Sequence, residues 1–85
     1  MSDTAYMKRV GDWMVAQRAM LGVTREEVAS AIGVSSASIW NWENGKRTIN
    51  SYSHAKLKAY FKKQLKLRSA DVAAAQSRAL EAGSR

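Results

Sequence analysis

The sequence predicts an all-α domain of four to five compactly packed helices. Three observations carry the prediction. The chain contains no proline, so nothing in it breaks a helix by removing an amide. No segment alternates Val, Ile and Thr between turn signals as half-buried strands do. Apolar residues recur instead at helical spacing, as in Leu57, Tyr60, Phe61 and Leu65, the signature of a helix with one buried face. With 85 residues, one domain with a small core is expected, and association with a second copy would supplement its marginal stability.

The elements follow in order. A first helix is expected from about Thr4 to Leu21, with Val10, Met14 and Leu21 turned inward and Gly22 in a left-handed conformation at its end. "TREE", residues 24–27, is a capping box: Thr24 accepts from the amide of Glu27, and Glu27 reaches back to the amide of Thr24. A short helix then runs from about Arg25 to Ile32 and stops at Gly33. Ser35 is placed to cap a third helix ending near Asn44 and Gly45, and the loop "GKRTIN" leads to a fourth from about Ser51 to Leu67. These make residues 1–68 one unit. Residues 69–85 are Ala-rich, begin with a possible Ser69 cap, and read as a fifth helix or a partly ordered tail that offers a dimerisation element.

Composition narrows the function. The absence of cysteine removes disulfides and thiolate metal sites. The start "MSDTAYMKRVGDWMV" lacks the apolar run of a signal peptide, and no segment reaches transmembrane length, so a cytosolic protein with no membrane partner is expected. The net charge of +7 is unevenly placed: residues 1–43 carry four Lys/Arg against five Asp/Glu, whereas residues 44–70 carry eight Lys/Arg and no Asp/Glu. Such a block reads either as a surface facing a polyanion or as a solvated face. Lys56, Lys58, Lys62, Lys63 and Lys66 span too much of one helix to meet a single ligand, so most of them are expected in solvent. His54, the only histidine, is expected to be capped or packed. One His, no Cys and no carboxylate pair beyond the capping box leave nothing from which to assemble a catalytic centre, a metal site or a cofactor pocket.

The third helix, in "GVSSASIWNWENGKR", carries two tryptophans that cannot share a face. At about 100° per residue, Ile39 and Trp42 fall on a core-facing side, while Ser36, Ala37, Trp40, Asn41 and Asn44 fall on the other. That outer face has no Lys or Glu. It presents a hydroxyl, a methyl, amides and an indole, the groups that meet base edges and thymine methyls in a major groove. Trp40 is thus an exposed aromatic in need of a partner, either sugar-phosphate and thymine methyls or the ring of Tyr52. Ala29, Gly33, Ile39 and Trp42 complete the spacing of a helix-turn-helix: a small residue for close approach, a glycine for the turn, and two apolar residues that lock the second helix onto the first.

On these residues the segment "LGVTREEVASAIGVSSASIWNWENGKR" resembles the helix-turn-helix of the phage Cro and lambda-repressor family, also called XRE. The resemblance covers roughly residues 10–65. It implies a lambda-repressor-like domain whose third helix is the recognition helix, with Ser36, Ala37, Trp40 and Asn41 toward the bases. It implies phosphate contacts from Thr24, Arg25, Ser35, Asn44, Lys46 and Arg47, the loop amides included, and an Arg18–Glu43 ion pair tying the recognition helix to the scaffold. Four departures are evident: Ile49 stands where the family often has Pro, Trp40 where it usually has a small or polar residue, the fourth helix is unusually lysine-rich, and the fifth lacks the usual bulky apolar residues. The resemblance further implies a sequence-specific regulator of phage or plasmid type, a homodimer repressing from an inverted-repeat operator in double-stranded DNA. An antitoxin with residues 69–85 as the toxin-binding element, and a non-specific binder driven by residues 46–68, are the other readings.

Overall fold

The computed structural model describes residues 3–83 as four α-helices: α1 (Asp3–Leu21), α2 (Arg25–Ile32), α3 (Ser36–Glu43) and α4 (Ser51–Gly83), with no strand among the described residues. The short elements begin and end where local chemistry dictates. Thr24 Oγ1 accepts from the amide of Glu27 at 3.0 Å and the Glu27 carboxylate accepts from the amide of Thr24 at 3.0 Å. Gly33, at φ 76°, turns the chain out of α2 while its amide bonds the Ala29 carbonyl. Ser35 Oγ accepts from the amide of Ser38 at 3.1 Å and starts α3. Asn50 caps α4 through Oδ1, which accepts from the amide of Ser53 at 2.7 Å.

The helices form a closed ring of contacts, α1 against α3, α3 against α2, α2 against α4 and α4 against α1. Met14, Leu21, Val28, Ile39, Leu57 and Phe61 fill its centre and are almost wholly inaccessible. Tyr60 and Leu65 pack at the margin. Ile49, the residue in the proline-associated position, is itself buried and pins the loop between α3 and α4 to this core.

Gly11 explains how α1 and α3 come so close. A Cβ on Gly11 would lie 2.5 Å from the Glu43 carbonyl oxygen and 2.8 Å from that of Trp42. The backbone of α1 therefore rests directly on the last turn of α3, which only glycine permits.

The C-terminal segment departs from expectation. Ser69 does not cap a fifth helix: α4 runs unbroken for 33 residues. Between Ser51 and Gly83 there is neither Gly nor Pro, and a serine starts a helix only where the backbone has already left one. From Lys66 to Asp71 every residue is exposed, so α4 leaves the domain there. On the basic block the expectation holds: Lys56, Lys58, Lys62, Lys63 and Lys66 are all exposed, and two cations of the block also reach helix ends. Lys56 Nζ donates to the Ile32 carbonyl at the end of α2 (3.3 Å), and Arg68 Nη2 donates to the Leu21 carbonyl at the end of α1. Each cation meets the negative end of a helix dipole, which favours it by about 0.3–1 kcal/mol.

His54 packs edge-on against Trp13 with ring centroids 5.5 Å apart. Burial, followed by the charge of Lys58, lowers its pKa from 6.5. In the interval between the folded and unfolded pKa values the unfolded chain binds more protons, so stability rises with pH there. Urea midpoints are expected to fall as pH drops through about 6.5, and His54→Gln is expected to flatten that dependence. An unchanged slope in the variant would remove His54 as its source.

Candidate nucleic-acid interface

The outer face of α3 is built by its two caps and its core residues. Ile39 (0 % exposed) and Trp42 (8 %) anchor the inner side. Ala37, Trp40 and Asn44 are then exposed, and Ser36 and Asn41 half-buried, on the outer side. Trp40 keeps 43 % of its surface accessible, and among the described residues the aromatic ring pairs are Trp13–His54, Trp13–Phe61 and Tyr60–Phe61. Packing of Trp40 on Tyr52 is therefore corrected: the Tyr52 ring lies instead under Lys56 Nζ, 4.8 Å from its centroid.

The turn after α3 is a Schellman motif around Gly45 (φ 65°). The amides of Asn44, Gly45 and Lys46 bond the carbonyls of Trp40, Trp42 and Asn41 at 3.0, 3.3 and 2.8 Å. Asn44 Nδ2 also donates to the Trp40 carbonyl at 2.9 Å. This alters the expectation that loop amides serve as ligands, because those three are already committed to the helix end. The exposed side chains of Lys46 and Arg47 remain.

Glu43 sits at the junction of three helices with its side chain 1 % exposed. Its Oε2 accepts from Arg18 Nε at 2.6 Å, and its Oε1 from Arg18 Nη2 at 3.1 Å and from Arg25 Nε at 2.8 Å. Arg18 Nη1 further donates to the Val23 carbonyl at 3.3 Å. The hydrogen bond to Glu43 raises the Arg18 pKa above its ordinary, already high value. The sequence pointed to Arg18–Glu43 but not to Arg25 as a second partner of the same carboxylate, since a contact across 18 residues leaves no local pattern. Gly11 was missed likewise; the one available signal was a glycine inside an otherwise helical run.

Thr24, Arg25 and Ser35 line the starts of α2 and α3, with Thr24 and Ser35 exposed and Arg25 half-buried. Among the described residues no group of three His, Cys, Asp or Glu side chains is arranged to hold a metal ion, and no helix is long and apolar enough to cross a membrane. No curated protein and no solved structure matches the chain. The family model described as helix-turn-helix matches residues 15–51, from the middle of α1 to the first residue of α4. With a capped α2, the Gly33 turn and an α3 locked by Ile39 and Trp42, this segment is a helix-turn-helix of the Cro and lambda-repressor-like, XRE type, and it supports a DNA-binding regulator.

Proposed function

We propose that the protein is a sequence-specific repressor of phage or plasmid type. In this reading it binds an inverted-repeat operator in double-stranded DNA as a homodimer, with two α3 helices in major grooves one helical turn apart. The outer face of α3 carries the proposal: Ser36, Ala37, Trp40 and Asn41 present groups suited to bases on a helix packed against α1 and α2. Asn41 is the residue assigned to an adenine edge, and Trp40 the one assigned to thymine methyls or the sugar beside them. Thr24, Arg25, Ser35, Asn44, Lys46 and Arg47 are assigned to phosphates, where they contribute register and affinity without sequence information. Lys46 and Arg47 act there through their side chains rather than through the spent turn amides. The regulator works in the cytoplasm on the nucleoid.

Selection of binding sites from random duplex DNA tests this directly, with the winners titrated at several salt concentrations. A palindromic consensus is expected, with a slope of log K against log salt of roughly −5 to −7 if the dimer neutralises about six to eight phosphates. Asn41→Ala is expected to reduce operator affinity roughly tenfold or more and leave binding to random DNA unchanged. No consensus, with affinity that vanishes as salt rises, would return the protein to the class of non-specific polyanion binders.

The projection of α4 beyond the domain favours a second reading, an antitoxin that autoregulates its operon and holds a toxin with residues 69–85. Stable co-purification of one small partner protein would support it; a lone dimer would remove it.

A further inference from the structure

The Arg18–Glu43–Arg25 cluster contains two guanidiniums and one carboxylate, so one positive charge is left over. Glu43 and Arg18 lie inside, with side chains 1 % and 19 % exposed, while Arg25 is 38 % exposed. The surplus charge therefore emerges at Arg25. Arg25 is also the first residue of α2, where the exposed amides and the helix dipole disfavour a cation; the next two residues, Glu26 and Glu27, are the acidic ones that such a position favours. A cation placed against the dipole and tied to an already paired carboxylate has little stabilising purpose of its own.

We infer that Glu43 is a positioning residue for Arg25, fixing its guanidinium as an oriented phosphate clamp. By accepting the Nε hydrogen, Glu43 sets the plane of the group and leaves the four Nη hydrogens for another acceptor. A phosphate oxygen pair matches that fork bidentately, and a lysine ammonium does not. Because Glu43 is the last residue of α3, the clamp on the DNA backbone and the helix in the groove share one carboxylate. The register of the recognition helix is thereby set by the same group that aims the phosphate contact. This inference rests on the proposed operator binding and deepens it.

The test compares wild type, Arg25→Lys and Arg25→Gln on the selected operator across a salt series. Both substitutions fall on a partly exposed side chain, and thermal melts verify the fold. Arg25→Lys keeps the charge, so the salt slope is expected to stay while affinity falls several-fold. Arg25→Gln is expected to bind still more weakly, with a slope smaller in magnitude by roughly 0.9 for each phosphate that is no longer neutralised. In NMR spectra of the free wild-type protein the Arg25 Nε–H signal should be sharp and slow to exchange, should shift on adding operator, and should broaden in Glu43→Gln. Arg25→Lys binding as tightly as wild type would overturn the inference, since the charge alone would suffice. An Arg25→Gln variant with a lower melting temperature but an unchanged slope would overturn it too, leaving Arg25 a structural residue. Wild type that selects no consensus would instead dismiss operator binding itself.

Discussion

Glu43→Ala is expected to lower stability by about 3 kcal/mol, the low end of the cost of breaking a buried ion pair. The variant loses three charge-assisted hydrogen bonds and leaves two guanidiniums facing an empty site. Water reaches Arg25 and, to a lesser degree, Arg18, which keeps the cost from the upper end. For a domain of this size the melting temperature should drop by well over about 10 °C. Operator binding should suffer beyond that, because the end of α3 loses its tie to both α1 and α2. Thermal melts and operator titrations well below the melting temperature separate the two effects. A variant that melts with wild type would mean that the cluster contributes nothing to the fold.

Gly11→Ala is expected to cost about 2 kcal/mol despite making α1 a better helix. Alanine is favoured over glycine within a helix by about 1 kcal/mol. Against that stands a methyl placed 2.5 Å from one carbonyl oxygen and 2.8 Å from another, both belonging to the backbone of α3. A side chain in the way would rotate aside, but a helix end must be pushed back, and overpacking of this kind costs about 1–3 kcal/mol or more. The helix displaced is the one assigned to the major groove. Affinity for operator should therefore fall even at temperatures where the variant is fully folded. Equal stability and affinity would show that α1 and α3 stand further apart than their contact here.

These two residues also mark what the sequence reveals and what it hides. The capping box at Thr24 and Glu27, the turn at Gly33, the Ser35 cap and the division of labour between Trp42 and Trp40 are written within a few residues of where they act, and each was legible. Gly11 acts on residues 31 and 32 positions away, and Arg25 on one 18 away. Nothing local distinguishes that glycine from a weak spot in a helix, or that arginine from a surface charge. The Ser69 cap failed for the opposite reason. The local signal was present, but no breaker accompanied it, and uninterrupted helix-forming residues carried α4 onward. The basic block was legible as charge only; that Lys56 and Arg68 reach the ends of α2 and α1 depends on the helices first being packed.

Those two tethers have a mechanical consequence. They hold α4 at points 12 residues apart, so its direction follows the orientation of α1 and α2. The 15 residues from Ser69 to Gly83 then extend about 22 Å from that mount, against a long axis of 60 Å for the molecule. Such a rod is a lever. Tilting it by a few degrees at the tethers moves its tip by one or two ångströms, up to about half the rise of one base pair. If two copies meet through these rods, the spacing between their recognition helices is set at the ends of α1 and α2, far from any base, and Arg68→Ala would loosen tolerance for half-site spacing while leaving the preferred half-site sequence intact.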